Sequence, residues 1–341
     1  MFTLGIETTC DETAASIVKD GHIIYSNVIA SQINLHDVYG GVVPELACRR
    51  HIDTLIPVIK TALHEAKISL KDIDLIAAAK GPGLIGALLI GLTGAKSLAL
   101  ALNKPFIGVN HVEAHLFASY MSHIKDVEFP SLGVVVSGGH TFLVLIRSFG
   151  QYEMIGQTTD DAVGEAFDKV AAQLGLPYPG GPQIERLAKE GSIKRYPFKA
   201  GVVKERPFDF SFSGLKTNVM YTLKGQGSNK NSPLIIQEED KKDIAASFQH
   251  TALFDVVQKS LMAAKKYHCK SLLIGGGVSN NLYLRELFQK ENKQNLPVFF
   301  PSALMSQDNA AMIAGLGTYI YQQRKTSDSL EEEAMTRIAL S

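Results

Sequence analysis

The chain has no tryptophan and only three cysteines, Cys10, Cys48 and Cys269, among 341 residues. They are odd in number, far apart and form no CxxC pair. That excludes a disulfide framework and a zinc ribbon, and it fits a reducing cytosol. Net charge is missing as well, because 34 Lys+Arg balance 34 Asp+Glu. A whole-chain electrostatic grip on nucleic acid is not indicated, so any such grip must come from a local patch. No basic, cleavable leader precedes the first strand pattern, and no signal peptide is expected. The longest apolar run, residues 84–102, is broken by Gly86, Gly91, Gly94 and Lys96. It reads as a buried helix rather than a membrane span. The glycine turn before it, Gly81-Pro-Gly83, lacks the lysine of a GxxxxGK[ST] loop, which excludes a P-loop.

What is present is length and apolar content, with 45% hydrophobic residues, enough for two cores. The stretch 4–18 reads as strand, polar turn, strand, and 132–146 aligns with it without a gap. Both open Leu-Gly and place a hydroxyl at Thr9 or Ser137. Both then turn through Cys10-Asp11-Glu12 or Gly138-Gly139-His140 and carry Thr13 or Thr141 at the same place. A repeated hairpin predicts two similar lobes whose hairpin tips face a shared cleft. Asp11 and Glu12 are candidates for a base, an orienting group or an outer metal partner, or else a solvated acidic turn. Ser137-Gly138-Gly139 offers unobstructed backbone N–H groups, as an anion nest does, although Gly-Gly is also ordinary turn chemistry.

Chemistry concentrates at His111-Val-Glu-Ala-His115, which follows the strand pattern Pro105–Asn110. Imidazoles at i and i+4 share one helix face and can grip one metal ion. Asp308, before a late helix rich in small residues, would complete a two-histidine, one-carboxylate set that suits iron(II), with zinc or manganese as alternatives. Asp308 could equally cap that helix. The span 32–50 predicts a glycine turn without helix. An amphipathic helix follows, kinked at Pro57. Asp160-Asp161 reads as a helix start. Phe208, Phe210 and Phe212 alternate as in a strand with one packed face. The segment 225–233 is linker-like, a helix spans about 238–267, and Gly275-Gly-Gly277 with Ser279, Asn280 and Asn281 could approach a ribose or base. Arg186, Lys189, Lys194, Arg195, Lys199, Lys204 and Arg206 face only Glu190 and Glu205. They form either a solvated face or a contact for phosphates. The tail from Lys325, with Glu331–Glu333, reads as a solvated extension.

In order along the chain, Gly5–Thr13, Gly40–Glu45, Gly81–Gly86, Asn110–His115, Val136–His140, Asp160–Lys169, Phe212–Thr217, Gly276–Val278 and Asp308–Met312 resemble one family. It is the bacterial tRNA N6-adenosine threonylcarbamoyltransferases, once called O-sialoglycoprotein endopeptidases. The resemblance implies an α/β, duplicated two-lobe fold of the actin/Hsp70/sugar-kinase type with a ligand cleft between the lobes. One lobe would be 1–129 joined by 308–341, and the other 130–307 with a basic insertion at 186–206. The implied activity is transfer of threonylcarbamoyl from threonylcarbamoyl-AMP to N6 of adenosine 37 in tRNAs reading codons that start with A.

The implied ligands of one divalent metal per subunit, Fe2+ first and Zn2+ or Mn2+ next, are His111, His115 and Asp308. The implied substrate contacts are Val136, Ser137, Gly138, Gly139, His140, Asp168, Gly181, Glu185 and Asn281, with Asp11 and Glu12 as the catalytic acidic turn. The basic residues Arg186, Lys194, Arg195, Lys199 and Lys204 would take tRNA phosphates. Helper proteins, an inactive paralogue pairing through the first lobe and an ATPase, are implied, with a cytoplasmic location and no membrane. Departures from the family pattern are Thr9 for Ser, Cys48 for Ser or Ala, and Gln307 for Thr. A metallopeptidase is disfavoured, because in HExxH the base follows the first histidine, whereas here Val112 does and Glu113 points away from the shared face. A kinase-like ATPase of the same two-lobe design would carry similar glycine loops, and ADP release from ATP alone would distinguish it.

Overall fold

The computed structural model describes residues 1–229 and 232–340, so part of the linker-like stretch 225–233 lies outside the described residues. The chain divides into two units, Met1–Lys125 with Pro301–Ser341, and Asp126–Phe300. Each contains a five-stranded sheet.

In the first unit the strands are β1 (Phe2–Glu7), β2 (Glu12–Lys19) and β3 (Ile23–Ser31), followed by helices α1 (Ile33–Asp37) and α2 (Pro44–Ala66). Then come β4 (Leu75–Gly81), α3 (Ile85–Leu102), β5 (Phe106–Asn110) and α4 (His111–Ser122). The sheet order is β3-β2-β1-β4-β5, with β1, β2 and β3 antiparallel and β4 and β5 parallel to β1. The second unit has β6 (Ser131–Val136), β7 (Thr141–Ser148), β8 (Gln151–Gln157), α5 (Val163–Gln173), α6 (Gly180–Ala188), α7 (Ser213–Lys224), α8 (Asp240–Lys266), β9 (Ser271–Gly275), α9 (Leu282–Glu291) and β10 (Val298–Phe299). Its sheet runs β8-β7-β6-β9-β10 with the same pattern of senses. The chain then returns to the first unit as α10 (Ala303–Ser306) and α11 (Ala310–Arg324). The repeat seen in the sequence extends to register: Leu4 faces Ile17 in the first hairpin, and Leu132 faces Leu145 in the second.

β1 is buried on both faces, which is why its residues are apolar or small almost throughout. Leu4 and Ile6 join Leu55, Ile59, Leu63 and Leu92 in a core under α2 and α3. On the other face Gly5 lies against α11, where a Cβ would come 2.8 Å from that of Ala314. Thr3 and Thr318 pair their buried hydroxyls there at 2.7 Å. Small residues on α11 let a helix lie this close to a sheet.

Several local expectations are corrected. Residues 32–50 contain helix α1 and the start of α2, and α2 continues past Pro57. Helix α3 is buried only on its Ala87, Leu88, Gly91, Leu92, Ala95 and Ala99 side, while Ile85, Leu89 and Leu100 are exposed. It is long and apolar enough to cross a membrane by composition, yet that inner face packs in the first unit. The aromatic stretch 208–212 is no strand, with only one bridge, Phe210 to Thr158. Its three rings are core, as period and apolarity together require. The tail is not a free solvated extension. Asp328 donates from its backbone to the Phe106 carbonyl and accepts from Gly108 N, and Glu332 pairs with Lys80.

Candidate active site

The metal-type set assembles entirely in the first unit. Asn110 ends β5 and caps α4, its side-chain oxygen accepting from Val112 N and Glu113 N. That cap starts the helix at His111, and the i, i+4 spacing brings His115 alongside, with ring centroids 4.6 Å apart. The Nε2 atoms of His111 and His115 lie 3.5 and 3.1 Å from Asp308 Oδ1. The ligating atoms of all three residues fall within 4.8 Å of one another. Asp308 is not the cap of α11, because Asn309 fills that place by accepting from Met312 N.

The remaining ring nitrogen of His111 is committed elsewhere. Nδ1 is 2.9 Å from Glu7 Oε2 and 3.3 Å from Thr9 Oγ1. Glu7 is fully buried, and its other oxygen accepts from Thr9 N at 2.6 Å. A carboxylate on Nδ1–H fixes the tautomer that turns the Nε2 lone pair toward Asp308, the usual support behind a metal-bound imidazole. Burial alone would lower the His111 pKa, but Glu7 and Asp308 outweigh it and push it up to about 9. Two converging Nε2 atoms, a carboxylate and a buried supporting carboxylate fit a divalent ion. Sequence reasoning gave Glu7 no role, although a charge at the end of a buried strand is the signal that could have singled it out.

The acidic hairpin tip is not a solvated turn. Asp11 is buried, and Glu12 accepts from Ser31 Oγ at 3.1 Å. Burial first, then the nearby Asp308 and Asp11 charges, raise the Glu12 carboxyl well above the usual range. Burial likewise keeps the Cys10 thiol protonated.

In the second unit the matching hairpin tip is a glycine turn. Ser137 N donates to the His140 carbonyl at 2.8 Å, and His140 N to Ser137 Oγ at 3.0 Å. Gly138 and Gly139 have open space where a Cβ would sit. Helix α5 begins against this turn: Val163 N donates to Thr141 Oγ1, and Gly164 N to the Ser137 carbonyl. A Cβ on Gly164 would lie 2.7 Å from that carbonyl. A Cβ on Gly276, at φ +91°, would lie 2.5 Å from the Val136 carbonyl. Two glycine loops and a helix N-terminus therefore converge, an arrangement that suits an anion.

The other predicted contacts lie in the same unit and are held by local hydrogen bonds. Asp168 accepts from Gly180 N at 2.7 Å, beside the open Gly181. Glu185 accepts from Leu282 N at 2.8 Å, at the start of α9. Asn281 caps that helix through Leu284 N and donates to Gln249.

Asp160 and Asp161 do structural work the sequence did not show. Asp160 accepts from Ser211 and Ser213 hydroxyls and from Phe212 N and Ser213 N, which ties the loop to the start of α7. Asp161 pairs with Lys169 and Lys216. Both are desolvated, but these hydrogen bonds hold their carboxyls below the usual range. Arg186 of the basic segment lies in α6, and the rest of the segment is irregular up to α7. Its Arg186, Lys194, Arg195, Lys199 and Lys204 are all exposed, while Tyr196 and Phe198 pack on the core beneath.

Residues 23–315 match the family described as TsaD, tRNA N6-adenosine threonylcarbamoyltransferase. A protein of that name from Protochlamydia amoebophila (strain UWE25) is 64% identical over 340 residues, covering 100% of this chain and 98% of the relative. One from Chlamydia felis (strain Fe/C-56) is 51% identical over 331 residues, covering 97% and 94%. Among solved structures, T. kodakarensis HypF superposes with a TM-score of 0.63 at 15% identity, over 98% of this chain and 49% of that one. The Acidaminococcus fermentans (R)-2-hydroxyglutaryl-CoA dehydratase component A gives 0.53 at 13% identity, over 94% and 99%. At such identities the likeness concerns the fold alone, and it agrees with the duplicated actin-like α/β architecture. Matched along most of its length and so close to these relatives, the chain belongs to the tRNA N6-adenosine threonylcarbamoyltransferase family.

Proposed function

We infer that this chain is a tRNA-modifying transferase that makes t6A: it moves the threonylcarbamoyl group of threonylcarbamoyl-AMP onto N6 of adenosine 37 in tRNAs reading codons that start with A. The family membership supports the activity. The observation that carries the site is the convergence of His111 and His115 Nε2 on Asp308 Oδ1, with Glu7 behind His111.

An exocyclic adenine amine is a weak nucleophile, and a carbamoyl carbon is a sluggish electrophile. AMP supplies the leaving group, and the protein must orient the amine and stabilise the charge that develops. His111, His115 and Asp308 would hold one divalent ion, Fe2+ first among Fe2+, Zn2+ and Mn2+, which supplies Lewis-acid stabilisation of that charge. The Ser137, Gly138 and Gly139 turn at the α5 N-terminus, with Val136 and His140 flanking it, would bind the phosphate and the carbamoyl oxygen. Each well-placed donor of this kind contributes roughly 3 kcal/mol. Asp168, Gly181, Glu185 and Asn281 would surround the adenosine end of the adenylate. Asp11 or Glu12 would accept the N6 proton or orient the amine. Arg186, Lys194, Arg195, Lys199 and Lys204 would take tRNA phosphates.

The first unit also presents exposed apolar residues on both packed helices, Ile52 and Ile56 on α2 and Ile85 and Leu89 on α3. This face would receive the inactive paralogue of the pathway, with the ATPase as a further helper. A cytoplasmic location is part of the same reading.

The test is replacement of His111 and His115 by Ala, followed by metal analysis and mass spectrometry of tRNA nucleosides after incubation with threonylcarbamoyl-AMP. Loss of both metal and t6A is expected. Unchanged metal content together with unchanged t6A would overturn the assignment.

A further inference from the structure

We propose that the C-terminal tail, residues 328–339, is a positioning element of the metal centre, acting through Asn110 to hold the helix that carries both histidines. The inference rests on the metal reading above. It concerns a segment beyond residue 315, where the family match ends.

The tail does not wander. β5 is one of the two edge strands of its sheet and would otherwise present unpaired backbone groups to solvent. After α11 the chain turns back along that edge. Asp328 N donates to the Phe106 carbonyl at 2.8 Å, and Gly108 N donates to Asp328 Oδ2 at 3.0 Å. Glu332 then takes Lys80 Nζ at 2.7 Å on its carboxylate and Lys96 Nζ at 2.9 Å on its carbonyl. Met335 N donates to the Lys80 carbonyl at 2.8 Å. Finally the Ala339 carbonyl accepts from Asn110 Nδ2 at 3.2 Å. The anchors start at Phe106 and Gly108 on β5, pass over Lys80 on β4 and Lys96 on α3, and finish at Asn110, the end of β5, where the ligand helix emerges.

Two arms of this strap lead toward His111. In the first, the nearly buried Asn110 amide points its oxygen at Val112 N and Glu113 N because its nitrogen has an acceptor in the tail. A flipped amide would set an NH2 group against two N–H donors, so the Ala339 carbonyl fixes the sense of the cap immediately before His111. In the second, the Met335 carbonyl lies against Gly81, at φ +150°, where a side chain would collide with it. The turn that Gly81 begins supports Thr9: Leu84 N donates to the Thr9 carbonyl at 2.8 Å, and Thr9 Oγ1 is 3.3 Å from His111 Nδ1.

The test uses five full-chain or near-full-chain proteins stripped of metal: wild type, a truncation ending at Thr336, Asn110→Asp, those two changes combined, and His111→Ala/His115→Ala. Asn110→Asp keeps an oxygen for the helix cap and removes the donor to Ala339. Cobalt(II) is titrated and its visible d–d absorption recorded, with the thermal midpoint measured before metal is added. Truncation and Asn110→Asp are each expected to weaken Co2+ binding by about tenfold and to change the band shape, since supporting contacts around metal ligands act at about that level. The combined variant should be no worse than either alone, because both remove the same hydrogen bond. Wild-type affinity and spectrum in the truncated protein, or in Asn110→Asp if the truncation does not fold, would overturn the proposal. If His111→Ala/His115→Ala also binds Co2+ as wild type does, the metal reading itself has failed.

Discussion

Glu7 offers the sharpest quantitative handle on the metal centre. It is fully buried, and its two oxygens take His111 Nδ1–H and Thr9 N. Glu7→Gln keeps the shape but removes the charge and leaves one acceptor oxygen for two donors. Its consequences for metal binding have opposite signs. With Glu7 present, His111 titrates at about 9 in the metal-free protein, so at pH 7 an incoming ion must displace a proton at a cost of roughly 3 kcal/mol. Glu7→Gln lowers that pKa, because burial then opposes the Asp308 charge alone, and the proton competes less. It also loosens the ring and makes Nε2 a poorer donor, which costs 10–100-fold in affinity, about 1.4–2.7 kcal/mol. At pH 9, where proton competition has largely gone, the variant should therefore bind Zn2+ about 10–100-fold more weakly than wild type. At pH 7 the gap should shrink. Calorimetric titration in two buffers of different ionisation enthalpy gives the protons released, and about one per metal is expected for wild type at pH 7 and fewer for the variant. Equal proton release and the same affinity ratio at both pH values would refute the assignment of Glu7 as the group that holds the His111 proton.

The same pair makes a stability prediction. The folded pKa of His111 lies above its unfolded value of about 6.5, so this contribution is fully present below pH 6.5 and is lost as pH rises through about 9. The thermal midpoint of metal-free protein should fall between pH 7 and 9 by an amount that His111→Asn abolishes, and an identical fall in that variant would count against it. Gly164→Ala forces a Cβ onto the Ser137 carbonyl and should raise KM for the adenylate while leaving metal content intact; an unchanged KM would remove the glycine turn from the binding site. Asp160→Ala strips the hydrogen bonds that start α7 and should cost ~1–2 kcal/mol in urea unfolding, whereas a loss below a few tenths would mean solvent replaces them freely. Lys194→Gln with Arg195→Gln should reduce the slope of log tRNA affinity against log salt by about 0.7–0.9 for each phosphate no longer neutralised, and an unaltered slope would mean that other residues hold the tRNA.

What the chain discloses before folding, and what it withholds, divides along one physical line. Periodicity reports which face of an element is buried, and so the paired hairpins and the His111/His115 face were legible; on α2 it picks out Leu55, Ile59 and Leu63 correctly but also Ile52 and Ile56, which are exposed, and α3 is buried on one side only. Periodicity does not report the partner. Glu7 and His111 are far apart in sequence, and nothing local couples them; only the parallel pairing β1-β4-β5 sets the end of β1 near the start of α4. Adjacent Asp308 and Asn309 are interchangeable as caps by residue type, and the start of α11 decides between them by taking Asn309, which leaves the carboxylate for the histidines. The stretch 208–212 alternates like a strand, but Asp160 captures the amides of Phe212 and Ser213 and sends the chain into a helix instead. The tail is where composition misleads most, because three consecutive glutamates look solvated when counted together. Here the chain turns, Glu332 N donating to the Ser329 carbonyl, and this leaves Glu331 and Glu333 in water while Glu332 faces inward to Lys80. A single charge among three thus joins the terminal segment to the lobe that holds the candidate ligands, and it does so through a lysine that only the folded sheet brings within reach.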